Sequence, residues 1–224
     1  MRPESTGTGG ERAWVLPDEP VPVRLMNTIW ADRAGVHDDL RTPDDLAAWV
    51  ASIGATDGPV GARRDDVARA RRLRDALRRV AALCTDDVRA AAASAIEDID
   101  AAIAEINSLV VAGPPAAQLT LRKGRLVTQT PVVGPAMTRA LSAIAIDAIE
   151  LFTATDSPQL RACQAPGCVL YFLKDHPRRA WCSTACGNRA RAARHYRRHR
   201  LDSRADPGPP PGARPAPEAR ISGE

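Results

Sequence analysis

Residues 163–191 read CQAPGCVLYFLKDHPRRAWCSTACGNRAR, and within them Cys163, Cys168, Cys182 and Cys186 stand at C-x4-C-x13-C-x3-C spacing. Two close cysteine pairs, separated by enough chain for a short hairpin, follow the arithmetic of a zinc site. Zinc prefers four tetrahedral ligands and suits deprotonated thiolates. Pro166-Gly167 gives the first pair a tight turn, and Ser183 reads as the cap of a helix that starts at the second pair. Val169–Leu173 and Arg179–Trp181 read as the hairpin strands between the pairs. Four cysteines close the coordination sphere, so one ion is structural and no position remains for an activated water. The competing reading is a redox or disulfide set. His176 is the one substitute ligand in reach, with a solvated loop as its simpler setting. A module of about forty residues has too little core to fold alone, and metal binding worth about 10–16 kcal/mol in small zinc peptides supplies the deficit.

Beyond Cys186 the chain runs GNRARAARHYRRHR to Arg200. At helical spacing Arg189, Arg191, Arg194, Arg197, Arg198 and Arg200 occupy about 200° of arc, opposite Ala192, His195, Tyr196 and His199. Lys174, Arg178 and Arg179 add charge from the hairpin. Residues 161–204 hold eleven Lys and Arg against two Asp, a net +9 within a chain of +4, so the remainder carries −5. Thiolates on zinc remove about two units, which leaves enough charge for several phosphate contacts. The candidate nucleic-acid contacts are therefore Lys174, Arg178, Arg179, Asn188, Arg189, Arg191, Arg194, Arg197 and Arg198, with Asn188 and Arg189 the candidates for base edges. Charge alone does not say which polyanion is met, DNA or RNA. RNA is the variant, against which stands the lack of an RNA-binding motif with paired stacking aromatics. The plainer alternative is a solvated helix whose arginines pair with acidic groups on the body.

Upstream, few aromatics and many Ala, Leu, Ile and Val favour helix packing. Thr42-Pro43-Asp44-Asp45 opens a short helix to Ile53 that buries Leu46, Trp49, Val50 and Ile53. Residues 63–84 place Val67, Ala70, Leu73, Leu77 and Val80 on one stripe with arginines on the other faces. A second long helix is predicted from about Asp86 to Val110 on Ile96, Ile99, Ile103 and Ile106. Gly113-Pro114-Pro115 stops it, and Leu119–Val127 reads as a hairpin turning near Lys123-Gly124. A third long helix is predicted from Val133 to about Ala154. Cys84 reads as a small buried apolar residue, and Trp30 and Trp49 as core. The sequence thus predicts a mainly α (α+β) protein: a helical domain over 21–156 with a small β-hairpin, then a treble-clef-like zinc finger over 160–202. Residues 1–20 and 203–224, rich in Pro and Gly, are expected to be disordered.

No stretch approaches the eighteen or so apolar residues of a membrane span, and Met1–Pro20 lacks a signal-peptide apolar region, so a cytoplasmic protein is expected. No nucleophile motif, phosphate loop or HExxH site appears, and no catalytic residue is predicted. His37-Asp38-Asp39 is the one compact His-carboxylate cluster, and an exposed loop is its expected setting.

The run Cys163–Cys168, then Tyr171-Phe172, Arg179-Ala-Trp181-Cys182-Ser183 and Cys186-Gly187-Asn188-Arg189-Ala190-Arg191, resembles the CGNR zinc finger, with the four-letter core intact. Leu25-Met26-Asn27-Thr28 followed by Leu46-Ala-Ala-Trp49 is similar to the opening of the ABATE domain, the usual N-terminal partner of that finger in bacterial proteins. Against the family pattern the second cysteine pair is one residue closer and the loop before Trp181 shorter. A three-residue gap still places both thiols on one helix face. The resemblance implies a bacterial, stress-linked transcription regulator whose finger binds DNA and whose body senses an effector of unspecified chemistry or forms a homodimer. Asn27-Thr28 is then either an effector or finger contact or a buried turn cap. A protein-interaction module without direct nucleic-acid binding is the second functional class.

Overall fold

The computed structural model describes residues 14–55, 58, 60–111, 118–129, 134–154 and 159–205. In chain order the elements are α1 (Val21–Met26), β1 (Ile29–Asp32), β2 (Gly35–Asp38), α2 (Pro43–Ser52), α3 (Arg64–Cys84) and α4 (Ile99–Val111). There follow β3 (Gln118–Arg122), β4 (Arg125–Gln129), α5 (Ala136–Thr153), β5 (Gln159–Ala162), β6 (Tyr171–Lys174) and α6 (Thr184–Ala205). The described strands form three separate antiparallel hairpins, β1–β2, β3–β4 and β5–β6, and the molecule is mainly α with small β additions.

Local chemistry explains the helix starts. The Thr42 hydroxyl accepts from the Asp45 amide at 3.2 Å while the Asp45 carboxylate accepts from the Thr42 amide at 2.9 Å, a reciprocal cap with Pro43 in the first turn. Asp66 accepts from the Arg63 amide at 2.9 Å at the head of α3. Helix α3 buries Val67, Ala70, Leu73, Leu77 and Ala81, and α2 buries Leu46, Trp49 and Val50. Helices α3, α4 and α5 pack on one another pairwise, with α1 against α3 and α5 and α2 against α3. Ala162 and Tyr171 of the last hairpin belong to this same core, which ties the C-terminal module to the body.

Several sequence expectations need correction. The helix predicted from Asp86 begins only at Ile99, because side chains hold the preceding backbone in other shapes. Asp86 takes a positive φ of 50°, the Ser94 hydroxyl donates to the Asp75 carbonyl at 2.6 Å, and Asp98 caps the amides of Asp100 and Ala101 at 2.7 and 3.1 Å. Ile103, assigned to the buried stripe, is 44% exposed. Cys84 is exposed at the end of α3 rather than buried. The finger's hairpin pairs β5 with β6 across the first cysteine pair, so Arg179–Trp181 is not a strand. His37-Asp38-Asp39 lies at the end of a hairpin strand, with the His37 ring stacked on Trp30 at 4.2 Å.

The termini differ too. Trp14–Pro20, expected to be disordered, is placed against the finger, where Val15 and Leu16 pack on the cysteine cluster and Glu19 is buried. At the other end α6 continues through Ala205, so residues 203–205 are helical rather than disordered. Residues 1–13 and 206–224 lie outside the described residues. No described helix is long and apolar enough to cross a membrane.

Candidate metal centre

Cys163 and Cys168 flank a knuckle at the turn of the β5–β6 hairpin. The Cys163 amide donates to the Leu170 carbonyl at 2.9 Å and the Cys168 amide to the Ala165 carbonyl at 3.0 Å, with Gly167 supplying a φ of 71°. Cys182 precedes α6 and Cys186 lies in its first turn, where the Ser183 hydroxyl accepts from the Cys186 amide at 3.3 Å, as expected of a cap. All four thiols are free and buried, and their sulfurs lie within 4.8 Å of one another. Cys168 Sγ is 3.8 Å from Cys182 Sγ, which is 3.4 Å from Cys186 Sγ. A tetrahedral ion with Zn–S bonds of about 2.3 Å has S···S edges of about 3.8 Å, so the donor set fits one structural zinc ion. His176 stays outside it, exposed, with its Nδ1 accepting from the Arg178 amide.

Mutual hydrogen bonding divides the sulfurs. The hydrogen bond from Cys168 lowers the pKa of the Cys163 thiol, and Cys163 likewise lowers that of Cys186. The same bonds, with Cys163 the largest contributor, push Cys168 and Cys182 up. Arg189 adds a donor, its Nη2 lying 3.0 Å from Cys186 Sγ. Packing favours glycine at 187, since a Cβ there would meet Trp181 Cδ1 at 3.1 Å, closer than an ordinary contact. The CGNR core therefore divides its labour among ligand, clearance for Trp181, a partner for the Arg191 guanidinium through Asn188 Oδ1 at 2.5 Å, and a sulfur donor.

Residues of the body hold the knuckle in place. Arg89 Nη1 donates to the carbonyls of Cys163 and Cys168, the latter at 2.6 Å, and its other nitrogens bind both oxygens of the Asp87 carboxylate at 2.6 Å. Burial disfavours the charge on Asp87, yet the Arg89 bonds outweigh it and hold the carboxyl below its ordinary pKa. The Tyr171 hydroxyl donates to the same carboxylate at 2.9 Å. Arg78, 2% exposed, donates to the carbonyls of Met26, Ala92 and Val169 at 3.0, 3.0 and 3.2 Å and lies over the Tyr171 ring. Asn27 brackets the Tyr171 backbone: its Nδ2 donates to the carbonyl at 2.9 Å and its Oδ1 accepts from the amide at 3.0 Å. Asn27-Thr28 thus serves as both a finger contact and a buried turn cap: the Asn27 side chain binds the finger strand, Asn27 closes α1, and the Thr28 hydroxyl donates to the Leu25 carbonyl at 2.8 Å.

The candidate nucleic-acid residues separate into groups. Arg191, Arg194, Arg197 and Arg198 are exposed along α6, and Arg178 is exposed on the loop before it. Lys174 is half-buried in β6, Asn188 is bonded to Arg191, and Arg189 is turned to sulfur. Arg179 departs from the expectation. It donates to Glu19 at 2.6 Å, Asp175 at 3.2 Å and the Leu173 carbonyl at 3.0 Å, and lies over the Phe172 ring, so it is committed inward. Among the described residues no carboxylate lies in ion-pair range of Arg191, Arg194, Arg197 or Arg198.

Sequence reasoning missed Arg78, Arg89, Asp87 and Glu19. For Arg78 a signal existed: Arg74 stands four residues after the stripe's Ala70 and Arg78 four after Arg74, so both fall along the edge of the buried face of α3. The other three act through irregular segments, where periodicity carries no information.

Comparison with known families agrees with this geometry. Residues 159–199, which hold all four thiols, match the CGNR zinc finger, and residues 19–155 match ABATE, described as a "putative stress-induced transcription regulator". Neither description is that of an enzyme. No curated protein matches the chain. The ABATE match spans more than half of the sequence, and the chain therefore belongs to the ABATE family, carrying a CGNR zinc finger at its C-terminal side.

Proposed function

We propose that this protein is a zinc-dependent DNA-binding transcription regulator, in which the finger carries α6 to DNA and the helical body senses an effector or self-associates. The observation that supports it best is the state of the α6 arginines. Arg191, Arg194, Arg197 and Arg198 are exposed, and among the described residues none is neutralised by a carboxylate, whereas Arg74, Arg89 and Arg179 all are. Exposed, unneutralised guanidinium groups on a helix anchored by Cys186 suit phosphate oxygens. A reducing cytoplasm keeps the thiols available to the metal.

The test is fluorescence anisotropy of zinc-loaded protein with duplex DNA at several salt concentrations. Neutralising about five phosphates gives a log–log slope near −4.5, or steeper if further contacts exist. Reversing charge at Arg194 and Arg197 to Glu should abolish binding. No binding at low salt, or a flat salt dependence, overturns the proposal. A protein-interaction module is the second reading, and Tyr196 favours it, being 72% exposed on the side opposite the arginines. In that case the Arg194 and Arg197 variants leave function unchanged while Tyr196→Ala impairs it. A single-stranded RNA competitor in the same assay separates DNA from RNA as the polyanion.

A further inference from the structure

Among the described residues, no side chain of the β3–β4 hairpin belongs to the metal centre or to the buried core. Residues 121–127 are exposed on both faces of the ribbon, with Leu121 and Leu126 at 67% and 68%. A lone two-stranded hairpin is marginal in water, and the tip of this one is built against its own stability in two ways. A two-residue turn of this kind needs positive φ at both central positions, which Asn-Gly or Asp-Gly supply with least strain. Here the first position is Lys123, at φ 49°, followed by Gly124 at 75°. The pair closing the turn is Arg122 directly opposite Arg125, and like charges facing across a ladder repel. An anion at the tip relieves the repulsion and gives a lysine in that strained position a purpose. The surrounding sequence agrees: between Glu105 and Asp147 there is no Asp or Glu but four Lys and Arg, within a part of the chain that is otherwise acidic.

We propose that the β3–β4 tip is a second nucleic-acid contact, a basic arm in which Arg122, Lys123 and Arg125 grip backbone phosphates in addition to α6. Side chains alternate across the ribbon, so the Leu121–Leu126 pair lies on the face opposite Arg122–Arg125. An arm laid along a groove thus offers charge to phosphates and an apolar face to sugars or base edges, a combination known in ribbon-type DNA binding. A second copy of the chain fits less well, because two tips of the same charge repel. The proposal rests on the DNA-binding reading of α6 and adds a separate site to it.

The test is anisotropy with a mixed-sequence duplex and full-length zinc-loaded protein, comparing the parent with three variants. These are the triple Arg122→Ala/Lys123→Ala/Arg125→Ala, the single Lys123→Asn, and Arg194→Ala/Arg197→Ala. The triple variant should flatten the log–log slope by about 2.7 and weaken binding at low salt by at least about tenfold. Lys123→Asn improves the turn, so a merely structural role predicts no loss, whereas the charge role predicts a slope flatter by about 0.9. Unchanged affinity and slope in both hairpin variants, with weakened binding in the α6 variant, overturn the arm and leave the α6 reading standing. No binding by the parent overturns both. A triple variant that changes the mass seen by light scattering at unchanged slope marks the hairpin as a self-association element and likewise overturns the arm.

Discussion

Arg89→Ala should destabilise the protein and weaken zinc binding together, although Arg89 touches no sulfur. Its guanidinium donates to the carbonyls of both first-pair cysteines and to both oxygens of Asp87, whose side chain is 1% exposed. Removing it strips two charge-assisted bonds from the knuckle and leaves a buried carboxylate with Tyr171 as its main remaining donor. Breaking a buried pair by deleting one partner costs about 3–5 kcal/mol, and the 19% exposure of the Arg89 side chain argues for the lower end, about 3 kcal/mol. For a chain of this size that lowers the Tm of zinc-loaded protein by about 6–12 °C. If half of the loss falls on the knuckle geometry, zinc affinity drops about tenfold, since 1.4 kcal/mol is a factor of ten. The assays are thermal unfolding and zinc competition against a chromophoric chelator. Arg89→Lys should recover only part of both quantities, because an ammonium cannot serve two carbonyls and a bidentate carboxylate at once. A Tm within about 1 °C of the parent together with unchanged zinc affinity would refute the argument that the body sets the knuckle.

Further outcomes follow from other contacts. Native mass spectrometry should find one zinc per chain, lost in both Cys182→Ser and Cys186→Ser; retention of zinc in both variants would rule out the four-thiol set. Burial pushes the Tyr171 hydroxyl above its ordinary pKa, so the folded state keeps this proton where the unfolded chain releases it. Its contribution is complete below the ordinary tyrosine range and is lost as pH rises through the raised folded value. In Tyr196→Phe, which leaves Tyr171 as the one tyrosine, the phenolate absorbance should therefore rise only above the ordinary range and together with alkaline unfolding. An ordinary titration in folded protein would show that the Asp87–Tyr171 contact is not buried in solution. Glu19→Gln breaks the ion pair with Arg179 and weakens the bond to the Leu173 amide, at a cost of about 2 kcal/mol. Limited proteolysis should then cut within residues 14–20 faster than in the parent, and equal rates would show that the segment is not held through Glu19.

What could be read from the sequence was what periodicity and spacing encode. The α2 cap, the α3 stripe, the Lys123-Gly124 turn and the cysteine cluster each depend on residues a few positions apart, and each is present. The segment from Asp86 to Asp98 was misread as helix because isoleucines at helical spacing outweighed Asp86, Ser94 and Asp98. In the structure those three side chains or backbones set the chain locally and take it out of the helix. That departure has a consequence, since the irregular path carries Asp87 and Arg89 to the knuckle and presents the Ala92 carbonyl to Arg78.

The arginines show most clearly where sequence reading reaches its limit. Arginine in an amphipathic helix reads as surface, and a cluster near a finger reads as a phosphate contact. Here the same residue type has three uses: Arg78 and Arg89 bind backbone carbonyls inside the junction, Arg179 locks the N-terminal segment, and Arg191 to Arg198 remain exposed. The difference lies in what each guanidinium meets. A carbonyl-lined or carboxylate-lined site repays the desolvation of a planar five-donor group that a lysine could not satisfy, and such sites form only once β5–β6 has docked on α1 and α3. Net charge summed along the sequence therefore overstates the cationic surface, because the charges of Arg179 and Arg189 are partly spent on Glu19 and on the Cys186 sulfur. The exposed α6 arginines, Arg178 and the Arg122–Lys123–Arg125 tip are among the charges left available to an external polyanion. Removal of α6 charge should thus weaken DNA binding without moving Tm, whereas removal of Arg89 should move Tm and zinc affinity first, and this order of effects separates the surface arginines from the structural ones.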